Sequence, residues 1–401
     1  MNAVGIDVSK GRSTVAIMRP LGEVVALPFD VNHTDSELSE LAKRLKSLSG
    51  EVKVVMECTG SYYLPIAYAL RNAGLTVCAV NAQLIHSFGN NTIRNIKTDK
   101  ADAAKIANYA LTYWAKLPEY IPEDDVRHML KAFSRQYNKY TKIKTMLKNN
   151  LISLLDQTFP GVNELFKSVP RKSDGHEKWF DFAAHFWHCK CVCDLSQKTF
   201  ATAYRKWCKQ NGYMFNQAKA ENIYMEAAGH VNVMPKNDTT KLLINHAVAQ
   251  IRVISETLAA IAREMKHLAA SLPEYSIVTA FSGVGEILGP QLMAEIGDVH
   301  RYPKKSSLVR FAGLEPVENR SGKFRRDEKI SKQGSPHLRK TLFQVMDCLL
   351  KNAPRHDSIF QFLDRKRAEG KHYYCYMNAG AAKFLRVYFA RVTQFLDNYF
   401  M

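Results

Sequence analysis

The pattern of apolar and polar positions divides the chain into a first part of short strands and helices and a longer, mostly helical remainder. Apolar runs alternate with helical periodicity as far as residue 80. We expect strands at 4–8, 13–18, 23–29, 52–56 and 75–80, and helices at 36–48 and 64–73. This order predicts an α/β domain with a mixed sheet over residues 1–120.

Two long amphipathic segments follow this first domain. Apolar residues recur three and four positions apart over 124–159 and again over 242–268. We predict an antiparallel, coiled-coil-like helical arm over 121–275, which is a common support for dimerisation. Residues 160–236 between the two helices show no regular pattern and are expected to form an irregular insertion. Residues 276–401 are predicted to form a mostly α-helical domain with a basic, loop-rich stretch inside it.

Composition narrows the class of protein. The chain has 401 residues, of which 46% are hydrophobic, so it can bury the cores of two or three domains. No apolar run approaches the roughly 18 residues that a bilayer span needs, and the N-terminal residues are too mixed for a signal peptide. The eight cysteines are dispersed and do not form a secreted disulfide framework. We expect a soluble chain of the cytoplasm, associated with no membrane.

The charge is strongly positive and unevenly distributed. Against 38 acidic residues there are 56 Lys and Arg, which gives a net charge of +18. Residues 1–120 carry +2, residues 121–275 carry +7 and residues 276–401 carry +9; the window 301–340 alone has 12 basic and 4 acidic residues. A solvated helix surface would usually mix both signs, so this excess favours the neutralisation of nucleic-acid phosphates.

Four carboxylates of the first domain are candidates for catalysis. Asp7 lies inside the first apolar strand, where a bare carboxylate is costly to bury, and Glu57 follows the strand at 52–56. Asp99 and Asp102 open a helix and share one face of it. Taken alone, the two helix-start aspartates are well explained by capping. Together, the four acids could hold one or two Mg²⁺ (or Mn²⁺) ions for phosphoryl displacement.

Several motifs carry a resemblance to a known family. In the first domain they are Gly5-Ile6-Asp7-Val8-Ser9-Lys10, Met56-Glu57-Cys58-Thr59-Gly60-Ser61-Tyr62 and Lys97-Thr98-Asp99-Lys100-Ala101-Asp102. In the last domain they are Phe281-Ser282-Gly283-Val284-Gly285, Ala294-Glu295-Ile296-Gly297-Asp298, Phe311-Ala312-Gly313-Leu314-Glu315-Pro316, Ser321-Gly322-Lys323, Ile330-Ser331-Lys332-Gln333-Gly334 and Leu338-Arg339-Lys340. They resemble the DEDD transposases of insertion sequence family one hundred ten, which include the pilin-gene DNA invertases and the bridge-RNA-guided serine recombinases. The resemblance covers about residues 1–155 and 237–395.

The resemblance implies a fold, an activity and a set of partners. The N-terminal domain would be RuvC-like (ribonuclease-H-like), with Mg²⁺ bound by Asp7, Glu57, Asp99 and Asp102, and the last would be a serine transposase domain. Ser321 would attack DNA and form a covalent phosphoserine intermediate. The partners implied are double-stranded donor and target DNA, a guide (bridge) RNA, and further copies of the chain in a dimer or tetramer. Basic residues expected to contact nucleic acid are Arg320, Lys323, Arg325, Arg326, Lys329, Lys332, Arg339 and Lys340.

The serine assignment has alternatives within the sequence. Ser321 could be a turn residue of a DNA-binding loop, and Ser331 and Ser335 are rival nucleophiles in equally basic surroundings. No histidine is adjacent to Ser321, so its activation would have to come from the metal or the carboxylates. The neighbouring cations could stabilise a phosphorane-like transition state.

Other functions remain open at this stage. A Holliday-junction type of nuclease would need only the four acids. A sugar-kinase or actin-like ATPase would need a second glycine-rich loop, which is missing. A non-catalytic DNA-binding protein would have no use for a buried Asp7. The cluster of His185, His188, Cys189, Cys191 and Cys193 suggests zinc, but its spacing fits a packed aromatic helix better.

Overall fold

A computed structural model describes residues 1–58, 60–88, 98–166, 171, 177–316, 320–321, 324–325 and 330–399. Its contacts divide the chain into two compact units, Met1–Pro122 and Glu123–Met401. Within the described residues, no helix has both the length and the apolar character that crossing a bilayer requires.

The first unit is a mixed five-stranded sheet with helices on both faces. Its strands follow the order β3-β2-β1-β4-β5; β1 pairs antiparallel with β2 and parallel with β4, so the prediction of a mixed sheet is confirmed. The elements in chain order are β1 Asn2–Ser9, β2 Arg12–Met18, β3 Val24–Asn32, α1 Asp35–Lys46, β4 Val52–Glu57, α2 Leu64–Asn72, β5 Thr76–Val80, α3 Ala82–Ser87 and α4 Asp99–Thr112.

Alternation along β1 assigns its residues to the two faces of the sheet. Val4 and Ile6 are fully buried in the core beneath α1 and α2. Ala3 belongs to the core on the opposite face, with Ile106 and Ala107 of α4. Gly5 lies on this second face, where a Cβ atom would stand 2.2 Å from the Ala103 carbonyl oxygen and 2.3 Å from the Ala107 nitrogen. The absence of a side chain at Gly5 therefore lets α4 pack directly on β1.

The second unit begins with the two predicted long helices. They are α5 Asp125–Leu155 and, after the insertion, α10 Asp238–Ala270. They run antiparallel: Leu130 near the start of α5 shares a core with Met265 near the end of α10, while Leu151 shares another with Ile244.

The insertion is not irregular, and in this respect the prediction was wrong. It contains α6 Lys178–His185, α7 Lys190–Cys193, α8 Gln197–Gln210 and α9 Gln217–Gly229. Their core includes Phe182, Phe200 and Tyr204, each with 0% exposure. α6 and α7 are too short for a repeat to stand out in the sequence, whereas the repeat in α8 is marked by the aromatic residues Phe200, Tyr204 and Trp207 rather than by an aliphatic stripe.

In the described residues of the rest of the second unit, the regular elements are helices and one small hairpin. Its elements are α11 Tyr275–Thr279, α12 Leu288–Ile296, α13 Lys305–Phe311, β6 Arg320–Ser321, β7 Phe324–Arg325, α14 Pro336–Asn352, α15 Ser358–Ala368 and α16 Tyr373–Tyr399. A buried ion pair between Arg127 and Glu274 joins α5 to the start of α11, with side-chain exposures of 8% and 2%. The predicted mostly α-helical character of this region is confirmed.

Candidate acid site and serine hairpin

The pairing of β1 with β4 brings two of the predicted acids side by side. Ile6 pairs with Met56 in the parallel register, so the next residues, Asp7 and Glu57, lie at the same level on neighbouring strands. Asp7 is two residues after Gly5, which places it on the face that α4 covers. Both acids therefore lie at the carboxyl ends of parallel strands and on the same face of the sheet.

The first turn of α4 brings the other two acids to the same edge. The close approach of Gly5 to Ala103 fixes the start of the helix over β1. Arg12, which pairs with Ser9 at the end of β1, has its Nη2 atom 4.0 Å from Oδ2 of Asp99. Asp102 lies one turn further along α4. We call this edge, with Asp7, Glu57, Asp99 and Asp102, the acid edge.

Helix capping does not explain the two aspartates of α4. The N-cap residue is Thr98, whose Oγ1 accepts a hydrogen bond of 3.2 Å from the Ala101 backbone N–H. Asp99 and Asp102 are thus inside the helix, where they interact favourably with its dipole but make no N-cap hydrogen bond.

The donor set of the acid edge fits a hard divalent cation, because carboxylate oxygens are the ligands that Mg²⁺ prefers. Asp7, Glu57 and Asp102 are half-buried and Asp99 is exposed. Within the described part of the chain, no three Asp, Glu, His or Cys side chains are close enough together to form a metal site. The fold thus gathers the four acids without bringing three of them to bonding distance of one point.

The structure adds two polar neighbours that the sequence argument missed. Thr14 of β2 pairs with Asp7, and Asp30 of β3 pairs with Thr14, so these residues extend one polar row across the sheet. The Thr14 hydroxyl donates a hydrogen bond of 2.7 Å to Asp30 Oδ1, and Nη1 of Arg12 is 3.6 Å from Asp30 Oδ2. The sequence does contain a signal for these neighbours, because polar residues alternate at 12 and 14 of β2 and at 30 and 32 of β3. The four residues lie on one face of the β2–β3 pair.

Ser321 lies in the short hairpin of the second unit, formed by β6 and β7, which we call the serine hairpin. We call residues 316–330 around it the serine segment, and residues 311–316 and 330–335 the base of that segment. It pairs with Phe324, and Arg320 pairs with Arg325, while a bridge between Pro316 and Ile330 closes the base of the segment. The structure describes only the backbone pairing of these strand residues. The other predicted nucleic-acid contacts in this segment, Lys323, Arg326 and Lys329, lie outside the described residues.

The segment that follows the hairpin is anchored by backbone hydrogen bonds. The N–H groups of Ser331, Lys332 and Ser335 donate to the carbonyl oxygens of Glu315, Gly313 and Phe311, respectively, at 2.8–3.1 Å. Lys332 is exposed and has a φ of +54°, a conformation that a residue with a side chain adopts only at some cost.

The remaining two predicted basic contacts are partly engaged within the protein. Arg339 Nη1 donates to the carbonyl oxygens of Ala312 at 2.9 Å and Gly334 at 3.2 Å. Lys340 Nζ donates to Asn138 Oδ1 at 2.5 Å. Burial lowers the pKa of both side chains. Their positive charge therefore lies beside the base of the serine segment and also holds that base together.

The two rival serines have other roles in the structure. Ser335 is the N-cap of α14: its Oγ accepts from the Leu338 N–H at 3.1 Å and donates to Glu295 Oε2 at 3.1 Å. Ser331 Oγ accepts from the Gln333 N–H at 3.3 Å. Capping gives Ser335 a sufficient structural reason to be a serine.

Comparison with known proteins identifies the family. A DEDD-type model of the IS110 group, described as a transposase, matches residues 4–160, and a second, described as "Transposase IS116/IS110/IS902 family", matches residues 275–361. The two matches together cover more than half of the chain, in the order that the resemblance implied. The chain belongs to the IS110 family of transposases. The first match contains the acid edge of this IS110-family chain, and the second contains Ser321.

A curated relative gives a weaker match to the same kind of protein. It is the transposase for insertion sequence element IS1111A of Coxiella burnetii (strain RSA 493 / Nine Mile phase I), which is 27% identical over 112 residues. The match covers 28% of the IS110-family chain and 31% of that relative's length.

The Cys and His cluster of this IS110-family chain lies between the two matched ranges. Cys189, Cys191 and Cys193 are free thiols, and no metal-binding group is present among the described residues. Burial raises the pKa of the Cys189 thiol to about 12, as expected for a cysteine in an apolar core. The helix beside it packs Trp179, Phe182 and Phe186 into the aromatic core. The packed-helix interpretation is confirmed.

Proposed function

We propose that this protein is a DNA transposase that cuts and rejoins strands through a covalent phosphoserine intermediate at Ser321. The acid edge would hold Mg²⁺ or Mn²⁺ through Asp7, Glu57, Asp99 and Asp102. The observation that supports this most strongly is the convergence of these four acids, from two strands and one helix, at one edge of the sheet. The family match supports the transposase class.

The acids have a chemical reason to be gathered in this way. Mutual repulsion between carboxylates raises the energy of the folded state, and a bound cation removes it. When bound, a divalent ion would neutralise the charge that develops on the phosphate oxygens during displacement. The positions of the four carboxylates are fixed by β1, β4 and α4, and these positions would determine where the ion binds.

The serine step conserves the energy of the phosphodiester bond. Oγ of Ser321 attacks phosphorus, and the bond from phosphorus to a sugar oxygen breaks. The proton of the serine hydroxyl is transferred to that sugar oxygen, which leaves as a hydroxyl group. In the reverse direction, a sugar hydroxyl of another strand attacks the phosphoserine and releases Ser321. No nucleoside triphosphate is consumed, since one ester is exchanged for another.

The charge distribution supports the proposed partners. The segments outside the acid domain carry +16 of the total of +18, which favours binding of donor and target DNA and of a guide (bridge) RNA. The long helices α5 and α10 are suited to assembling several copies of the chain, and a dimer or tetramer belongs to the proposal.

The experiment incubates the full chain with a supercoiled plasmid that carries the element, Mg²⁺ and the transcript from the element's flank. Covalent protein–DNA adducts and joined products are then measured. We expect adducts from the unaltered protein, none from Ser321→Ala, and unchanged DNA binding in that variant. Ser331→Ala is the matched control and should keep full adduct yield, because this rival serine lies in the same basic segment.

The outcomes separate the proposal from its alternatives. An undiminished adduct in Ser321→Ala would eliminate the serine assignment. Strand cuts that depend on Mg²⁺ without any adduct would identify a hydrolytic nuclease of the Holliday-junction type. Binding without cuts under every condition would identify a non-catalytic DNA-binding protein. Products formed equally well without the transcript would remove the guide RNA from the proposal.

A further inference from the structure

The guanidinium of Arg12 lies between two carboxylates at the acid edge. Its nitrogens are 3.6 Å from Asp30 Oδ2 and 4.0 Å from Asp99 Oδ2. Both separations exceed the usual length of a hydrogen bond. The side chain is 53% exposed, and both carboxylate partners are about equally accessible to solvent.

Ion pairs of this kind are weak and easily exchanged. An exposed pair between Arg and a carboxylate adds little to stability, because both charges remain hydrated and holding the long side chain costs entropy. A guanidinium has a planar fork of N–H donors that matches a phosphate through two parallel hydrogen bonds, which are shorter and stronger. Arg12 can therefore turn from its present partners to a phosphate at little cost in stability.

The charge of the edge provides a reason for a cation there. Asp30, two strands away from Asp7 in the same polar row and within reach of Arg12, adds a fifth carboxylate to the four of the acid edge. Even a pair of divalent ions, the number used in many phosphoryl-transfer sites, would leave one negative charge in excess. A DNA strand brings further negative charge to the same place. Arg12 supplies the balancing charge that lets a phosphate approach.

The backbone beneath Arg12 is held firmly in place. Arg12 is the first residue of β2 and pairs with both Ser9 of β1 and Asn32 of β3. The turn before it uses Gly11 at a φ of +75°, and the Gly11 carbonyl accepts a hydrogen bond of 2.9 Å from the His33 N–H. Only the side chain needs to reorient for the guanidinium to change partner.

We infer that Arg12 binds a phosphate of the DNA strand at the acid edge, and that its guanidinium exchanges Asp30 and Asp99 for that phosphate when DNA binds. The inference rests on the proposed function of that edge. Net charge alone would assign metal binding to the nearly neutral N-terminal domain and phosphate binding to the remainder of the chain. With Arg12, the acid domain also contributes a phosphate contact of its own.

The test measures binding of the full chain to element-end DNA over a series of salt concentrations, with Ca²⁺ in place of Mg²⁺ to limit strand cutting. We expect Arg12→Gln to weaken binding about tenfold, which is the scale of one charge-assisted hydrogen-bonded contact. The slope of log K against log salt should fall by about 0.9, the change expected for one lost phosphate contact. Arg12→Lys should keep the slope and lose only part of the affinity, because it retains the charge without the fork.

Arg19→Gln is the matched control. Arg19 directly follows the other end of β2 and also forms an ion pair, with Glu23 at 2.8 Å, while its Nε donates to Asn2 Oδ1 at 2.9 Å. It lies away from the acid edge, so its loss should leave affinity and slope unchanged. Thermal unfolding of all variants checks that the fold is retained.

Neutral methylphosphonates placed one at a time around the joining site locate the contact. At one position, the substitution should abolish the difference between the unaltered protein and Arg12→Gln. An unchanged affinity and slope in Arg12→Gln would overturn the inference, as would tighter Mn²⁺ binding with unchanged DNA binding, since Arg12 would then only neutralise the acids. Failure of the proposed function would appear separately, as the absence of a Ser321 adduct in the unaltered protein.

Discussion

The acid edge and the serine hairpin show how differently two candidate catalytic regions of one chain can be held. The four acids come from β1, β4 and α4 of a five-stranded sheet, and Gly5 fixes the distance between β1 and α4. Ser321 comes from a pair of two-residue strands between Pro316 and Ile330. The acids are therefore placed by the core of their domain, whereas Ser321, as far as the described residues show, is placed by the pairing of two short strands and by backbone hydrogen bonds of residues 331–335. The acid edge is thus built on rigid elements of a folded core, which suits a preformed site.

The largest expected effect is the loss of chemistry when one of the acids is neutralised. Asp7→Asn keeps the size of the side chain but removes its charge, so it should lower the rate of adduct formation about 10³-fold, which corresponds to several kcal/mol of transition-state stabilisation. Adding Glu57→Gln should cost little more, because the acids act as one unit. The rate is measured in the plasmid assay.

The control for Asp7→Asn is Asp125→Asn, which alters an aspartate in the first turn of α5. It should leave the rate unchanged. If Asp7→Asn keeps more than a tenth of the normal rate of adduct formation, the acid edge does not catalyse the reaction.

A methyl group at Gly5 tests the rigidity of the acid edge. Gly5→Ala should lower the free energy of unfolding by about 2 kcal/mol or more, because its Cβ would overlap the backbone of α4. The shift is measured as the urea midpoint of the N-terminal unit. Gly229→Ala is the control, since a Cβ there meets nothing within 4 Å. Equal midpoints for Gly5→Ala and the unaltered protein would show that α4 is not tightly fixed over β1.

The base of the serine segment can be tested through Glu295. This carboxylate is 1% exposed and accepts hydrogen bonds from Arg135 at 3.2 Å and Ser335 at 3.1 Å. Glu295→Ala should cost about 1–3 kcal/mol of unfolding free energy, because two polar partners lose their acceptor. It should also reduce adduct yield more than DNA binding.

Glu286→Ala serves as the comparison for Glu295→Ala. Glu286 forms an ion pair with Lys266 at 2.5 Å but is 72% exposed, so its loss should change stability by less than about 1 kcal/mol. Equal effects of the two substitutions in thermal unfolding would contradict the view that the serine segment is anchored at its base.

The smallest expected effect concerns pH. A hydrogen bond to Asp397, helped by Asp298, raises the pKa of His300 above its ordinary value of 6.5. The stability gained is therefore fully present below pH 6.5 and is lost as the pH rises through the folded-state pKa. Between pH 6 and pH 8, the melting temperature should fall slightly more for the unaltered protein than for His300→Asn. A parallel fall in both proteins would show that His300 contributes nothing to the second unit.

The elements that carry the four acids, β1, β4 and α4, could be predicted from the sequence because strand alternation and helix periodicity are local. The apolar run around Asp7, the strand before Glu57 and the spacing of Asp99 and Asp102 were enough to place each acid at an element's end or face. The contribution of β2 and β3 could not be predicted from the sequence. Arg12, Thr14 and Asp30 lie beside the acids only because of the register in which β1, β2 and β3 pair.

The insertion shows the opposite situation. The buried positions of its helices include many aromatic residues, such as Trp179 and Phe182. α6 and α7 have too few turns to show a period, and in α8 the period is carried by Phe, Tyr and Trp instead of aliphatic residues, so the region looked irregular. Its core forms from contacts between segments distant in sequence, as when Tyr213 donates to Asp181 at 2.5 Å.

The most direct test of the central claim is a calorimetric titration of Mn²⁺ into the full chain without DNA. Asp99→Asn and Asp35→Asn form a matched pair, since each residue directly follows a threonine N-cap at the start of a helix in the same unit. We expect Asp7→Asn and Asp99→Asn to weaken Mn²⁺ binding at least about tenfold, the scale of one lost metal ligand, and Asp35→Asn to leave it unchanged. Equal Mn²⁺ affinity in all four proteins would contradict the assignment of a metal to the acid edge.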